Sequence, residues 1–243
     1  MPPSASPAGG DQTRAAEAER ELQEFSYIVS HDLAASSRHV AEFSRLLLGE
    51  LGEGLTDRQQ ALADRIRSAT EKSRLMMEEL LAFSRVQQKA LEVVRQDAAP
   101  ALRLAMLQLA IGEASGIEVS VEPLGEVCAD TKLLGMALHH LLDNAIKFRR
   151  PEIAPRIAVH VADDEEFWRL RITDNGPGVE PAYREKAFRM FHRLNGEDTY
   201  PGVGAGLTIC RRIARRHGGE AAFLDCADGA CVELALPHAP RFQ

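Results

Sequence analysis

The chain is 243 residues long and carries a net charge of −7, from 29 lysines and arginines against 36 aspartates and glutamates. That balance leaves no basic excess to neutralise phosphates, which excludes a general nucleic-acid binder. With 45% hydrophobic residues, the length suffices for one large domain or two small ones, and disorder throughout is excluded.

Residues 1–14 are rich in Pro, Ser, Ala and Gly and predict a disordered tail with no apolar core of a signal peptide. A helix is predicted from about Ala15 to Leu48, with Leu22, Phe25, Val29, Ser36, Val40, Phe43 and Leu47 spaced by threes and fours. The run GELGEGLTD breaks it, and Thr56 or Asp57 is placed to cap a second helix. That helix carries Leu62, Ile66, Ala69, Ser73, Met76, Leu80 and Phe83 on one stripe. Two such helices make an antiparallel hairpin, which cannot bury both stripes alone; a dimeric four-helix bundle completes it. A monomeric hairpin packed on the rest of the chain is the alternative.

After about Arg95 the pattern changes. APALRLAMLQLAI predicts a helix, IEVSVEPL a strand, and DTKLLGMALHHLLDNAIKFRR a strongly amphipathic helix. PRIAVHVADD and FWRLRITDNG follow as alternating strands, then a short helix near Glu185 to Phe191 and a glycine-rich loop. A helix from about Gly206 to His217 and strands near Glu220–Asp225 and Ala230–Leu236 close the domain. Helices and strands mix without strict alternation, which predicts an α+β sandwich with helices on one face of a mixed sheet. The expected domains are thus 15–95 and 96–238. Cys128, Cys210, Cys226 and Cys231 show no zinc spacing and predict reduced thiols. No uncharged apolar run approaches ~18 residues, so a soluble, cytoplasmic protein without a membrane span is expected.

Three clusters in the second domain carry chemistry. In LLDNAIKF, Asn144, Lys147 and Phe148 share one helix face. An amide oxygen suits Mg²⁺, and an ammonium one turn on meets the same phosphates; the plain alternative is a polar helix face. In DNGPGV, Asp174 ends a strand, where its carboxylate can accept from an exocyclic amine such as adenine N6. Gly176 and Gly178 let the backbone turn around a flat ring, although such a sequence also suits an ordinary turn. In GVGAGL, residues 202–207, small residues expose N–H groups at a helix start, where polyphosphate can bind. The Gly-Lys-Ser/Thr ending of a Walker A loop is absent.

Together and in this order, the clusters resemble the N, G1 and G2 boxes of the histidine-kinase and gyrase-like ATPases, whose fold is the Bergerat type. KAFRMFHRL between them resembles the F box specific to histidine kinases, and ICRRIARRHGG and GACVELALP extend the match. The resemblance implies ATP and Mg²⁺ as cofactors. Asn144 would hold the metal, Lys147 would meet phosphate and Asp174 would accept from adenine. Gly202, Gly204, Gly206 and Leu207 would wrap the triphosphate, with residues around 192–203 as a lid.

SHDLAASSRHV, in turn, resembles the H box of a histidine-kinase dimerisation domain, and NAIKFRRPE and YPGVGAGL are similar to the phytochrome-like sensor kinases. The resemblance makes His31 the phosphorylated residue of a homodimer and an aspartate of a response-regulator receiver domain the next acceptor. Asp32 would accept from Nδ1–H and leave Nε2 free to attack.

Departures from the family pattern set further expectations. Ser36 stands where proline usually kinks the helix. Ala35 replaces the Thr or Asn that orients water in relatives with phosphatase activity, so weak regulator phosphatase activity is expected. His140 stands where relatives often have an asparagine, and Val203 and Ala205 replace commoner G2 residues. About 20 residues precede the H box, so a sensory module is expected to be separate or missing. The competing readings are a degenerate kinase acting as a phosphorelay adaptor or scaffold, and a serine-directed kinase, which the helical hairpin disfavours.

Overall fold

The computed structural model describes residues 33, 35–51, 55–112, 115–194, 200 and 202–239. The chain divides between Gln88 and Lys89 into two compact units.

In the first unit, helix α1 covers residues 35–51 and helix α2 covers Asp57–Gln88. Thr56 is the residue that caps α2. Its N–H donates to Gln59 Oε1 at 2.9 Å, and the Gln59 N–H donates back to Thr56 Oγ1 at 3.4 Å, a reciprocal capping box. Ser37 Oγ lies 3.1 Å from Ser73 Oγ, so the two helices run side by side. The predicted stripe is open: Val40, Phe43 and Leu47 on α1 and Leu62 and Ile66 on α2 are exposed, Phe43 by 68%. The residues of the helix before 33 that sequence predicted, His31 and Asp32 among them, lie outside the described residues.

In the second unit, β1 (Val93–Asp97) pairs antiparallel with β3 (Glu126–Asp130) in a two-stranded sheet. The expected boundary at 95/96 therefore falls inside a strand. Val93 is held opposite Asp130 and Asp97 opposite Glu126, which commits this stretch to the second unit. Neither strand was predicted from sequence. A five-stranded mixed sheet has the order β2 (Glu118–Val121), β4 (Arg156–Val161), β5 (Phe167–Asp174), β7 (Cys231–Pro237) and β6 (Glu220–Leu224). The β2–β4 pair is parallel and the others antiparallel.

Alternation along β5 splits its faces. Trp168, Leu170 and Ile172 are buried with Leu134, Leu138 and Leu142 of α4 (Thr131–Lys147) and Ile209 and Ile213 of α6 (Gly206–Arg216). The Trp168 indole N–H donates to the Leu124 carbonyl at 2.7 Å, so this buried ring loses no hydrogen bond. On the other face Arg169 and Arg171 both reach Glu233 of β7, at 3.2 and 2.8 Å. Helix α3 (Ala99–Gln108) packs on α4.

One helix sits differently from its expected place near Glu185 to Phe191. Helix α5 spans Pro181–Ala187. Proline is at home in a first turn, where its missing N–H costs nothing. Beyond Ala187 the chain turns, and Phe191 takes a left-handed φ of 58° that no helix accommodates.

Candidate functional site

Asn144 and Lys147 stand in the last turns of α4, and Phe148 is its C-cap, with its N–H donating to Asn144 O at 3.0 Å. Lys147 pairs with Asp143 one turn back. Asn144 Nδ2 is buried and finds no hydrogen-bond partner among the described residues. A buried amide left unsatisfied costs ~1–3 kcal/mol, so this one is placed for a group brought from outside.

Asp174 ends β5. Its Oδ1 accepts from the Gly176 N–H at 2.8 Å and the Ala230 N–H at 3.2 Å. No described residue donates to Oδ2. Burial pushes the Asp174 carboxyl above its ordinary range, against the two N–H bonds that lower it; Asp228 raises it further and Arg150 lowers it. Asn175 locks the turn that follows: its Oδ1 accepts from the Arg156 N–H at 2.9 Å and its Nδ2 donates to Ala154 O at 2.9 Å. A Cβ at Gly176 would stand 2.0 Å from the Phe148 carbonyl oxygen, so only glycine lets the Asp174 turn close on the end of α4. The Asn144 and Asp174 motifs are thereby brought into contact. Gly178 backs onto Gly229.

The glycine-rich loop lies along α4. Gly202 approaches Lys147 Nζ and Gly206 approaches the His140 ring, at 3.5 and 3.3 Å from where their Cβ atoms would be. The Gly204 carbonyl accepts from the Phe191 N–H at 2.9 Å, which ties the loop to the end of KAFRMF. Thr208 Oγ1 donates to Phe188 O at 2.8 Å, a second tie to that segment. Helix α6 begins at Gly206 and Leu207 with no side-chain cap, Ala205 being its N-cap. Its first N–H groups therefore lack a side-chain acceptor, and the partial positive charge of a helix start favours an anion. The Cys210 Sγ–H donates to the Ala137 carbonyl at 3.5 Å and pins α6 to α4 one turn further in.

Burial, with His139 adding to it, drives the His140 imidazole down to about 4, so the ring beneath the α6 start is neutral near pH 7. Among the described residues no group of three His, Cys, Asp or Glu side chains could hold a metal by itself.

Residues 129–240 match the family described as histidine kinase-, DNA gyrase B-, and HSP90-like ATPase. A solved structure of the mycobacterial sensor histidine kinase MprB is 30% identical, with a TM-score of 0.51, and the match covers 61% of this chain and 99% of that one. The chain belongs to the sensor histidine kinases. Cyanobacterial phytochrome A of Nostoc sp. is 31% identical over 202 residues, 82% of this chain and 26% of the relative. This histidine-kinase chain thus spans about a quarter of that relative's length. Full-length ShkA, solved in complex with AMPPNP, shares the fold at 24% identity and a TM-score of 0.64, over 90% of this chain and 47% of that one. The second unit is accordingly a histidine-kinase ATP-binding domain. No helix among the described residues is long and apolar enough to cross a membrane.

The sequence placed the β6–β7 turn between its two strands but gave it no part in the site, whereas its Gly229 and Ala230 touch Asp174 directly. Its only sequence signal was the turn-forming Asp-Gly at 228–229.

Proposed function

We propose that the chain is the core of an ATP-dependent protein-histidine kinase that autophosphorylates His31 and passes the phosphoryl group to an aspartate of a response-regulator receiver domain. The observation that carries this reading is the meeting of three separate motifs at one place: Asp174, the end of α4, and the uncapped start of α6. Asp174 accepts from adenine N6 through Oδ2, since Oδ1 is occupied by two N–H groups. Gly176 and Gly178 bring backbone close to the base, and Phe148 flanks it. Lys147, Gly202, Gly204, Gly206 and Leu207 receive the triphosphate. Asn144 would hold Mg²⁺ by its amide oxygen, and its unpartnered Nδ2–H₂ would donate to a phosphate oxygen. When bound, the ion neutralises phosphate charge.

His31 and Asp32 supply the acceptor. Asp32 holds the Nδ1–H, and the Nε2 lone pair attacks the γ-phosphorus as the bond to the β–γ bridging oxygen breaks and ADP leaves. The proton stays on Nδ1, and Asp32 stabilises the resulting cation. The exposed stripe of Val40, Phe43, Leu47, Leu62 and Ile66 supports a homodimer closed as a four-helix bundle. A cytoplasmic setting and a sensory module, separate or covalently joined, complete the proposal.

The test is incubation with γ-labelled ATP and Mg²⁺, comparing wild type with His31→Gln. Acid-labile, alkali-stable label that disappears in the variant is expected. Alkali-labile label would mark a serine-directed kinase. ATP binding with no label would overturn the kinase and leave the phosphorelay adaptor.

A further inference from the structure

The turn between β6 and β7, residues 225–230, stands outside the nucleotide motifs and yet grips Asp174. The Ala230 carbonyl accepts from the Asp174 N–H at 2.9 Å, and the Ala230 N–H donates to Asp174 Oδ1 at 3.2 Å. A Cβ at Gly229, where φ is +69°, would lie 1.8 Å from the Asp174 carbonyl oxygen, so the two backbones are in direct contact. Two arginines hold this turn, one at each of its two aspartates. Arg150, just beyond Phe148, meets Asp228 at 2.8 Å. Arg184 of α5 meets Asp225 at 2.6 Å while its Nε–H donates to Val179 O at 3.3 Å.

If the turn shifts, the Ala230 N–H leaves Oδ1, which keeps only the Gly176 N–H, and the carboxylate gains freedom to rotate about that single bond. That freedom matters for base selection. A fixed carboxylate oxygen accepts from the 6-amino group of adenine but sets lone pair against lone pair at the 6-oxo group of guanine. A carboxylate free to rotate relieves that repulsion and aligns less well with the amine.

We propose that Arg150 and Asp228 are positioning residues for purine recognition: their ion pair fixes the turn that orients Asp174, and so sets ATP affinity and the preference for ATP over GTP. The proposal rests on Asp174 as the adenine acceptor. The pair is partly exposed, with side chains 40% and 56% accessible. An exposed pair of this kind shifts an equilibrium by about two- to fivefold, and salt weakens it.

The experiment measures dissociation constants of ATP and GTP by calorimetry on the full chain, at low and high salt. The proteins are wild type, Arg150→Gln, Asp228→Asn, the double variant, the charge exchange Arg150→Asp with Asp228→Arg, and Asp174→Asn. Each single variant is expected to weaken ATP about threefold and to narrow the ATP-over-GTP preference in proportion. The double variant should be no worse than either single, and the charge exchange should recover most of the loss. Additive singles, or singles matching wild type while Asp174→Asn abolishes ATP binding, overturn the role of the pair alone. Undiminished ATP binding by Asp174→Asn overturns the base-recognition reading, and this proposal with it.

Discussion

Replacing Asp130 with alanine should loosen the second unit at the end far from the nucleotide motifs. Asp130 is 1% exposed and ends β3. As the N-cap of α4 its Oδ1 accepts from the N–H groups of Lys132 and Leu133, at 3.0 and 3.1 Å. Its Oδ2 accepts from Lys89 Nζ at 2.5 Å and from the Glu92 N–H at 3.2 Å. The Asp130 N–H donates to His217 Nε2 at 3.0 Å, and His217, the C-cap of α6, donates from Nδ1 to Ile213 O at 2.8 Å. One residue thus anchors the ends of both helices whose opposite ends carry Asn144, Lys147 and Gly206. Loss of the cap costs about 1 kcal/mol. Loss of the acceptor for the Lys89 ammonium and the Glu92 N–H costs about 1.5–3 kcal/mol more, toward the lower figure because Lys89 still reaches water. The sum is about 3 kcal/mol, which for a unit of this size lowers Tm by roughly 6–12 °C. Asp130→Asn retains an oxygen for the cap and should lose about half as much. Burial pushes the Asp130 carboxyl up, but Lys89 and the N–H groups of Leu133 and Glu92 outweigh it and hold the group below its ordinary range. Its stabilisation is therefore present above the unfolded carboxylate pKa and lost as pH falls through the folded one. Thermal unfolding followed by circular dichroism between pH 3 and 7 checks both points. An alanine variant that melts with wild type at pH 7 would refute the reasoning.

Two further outcomes follow from the site itself. The His140 imidazole, lowered to about 4, must take up a proton on acid unfolding, where an unperturbed histidine titrates near 6.5. Its contribution is complete above about pH 6.5 and falls by roughly 2 kcal/mol at pH 5. His140→Phe should flatten that part of the stability profile, and an unchanged slope in chemical denaturation between pH 5 and 7 would contradict it. Gly176→Ala sets a Cβ 2.0 Å from the Phe148 carbonyl oxygen and 2.8 Å from Asp174 Oδ1. It should cost about 1–3 kcal/mol of stability and weaken ATP binding at least tenfold, measured by melting and calorimetry; wild-type ATP affinity would contradict it.

The fold was legible wherever a segment was long enough to show its own period. The apolar spacing of Leu134, Leu138, Leu141 and Leu142 marks α4, and the alternation of Trp168, Leu170 and Ile172 marks β5, because each pattern is written into one stretch of chain. The strands β1 (VVRQD) and β3 (EVCAD) show no apolar–polar alternation, and they exist because Val93–Asp97 and Glu126–Asp130 pair with each other. The site divides in the same way. Asn144, Lys147, Asp174 and the glycines of 202–206 could be named as candidates because each cluster is local. The closure of Gly176 on the Phe148 carbonyl, the placement of His140 beneath Gly206, and the grip of Gly229 and Ala230 on Asp174 were decided only in three dimensions. Each joins backbone or side chains from segments far apart along the chain, and no sequence period reports a contact that packing alone creates.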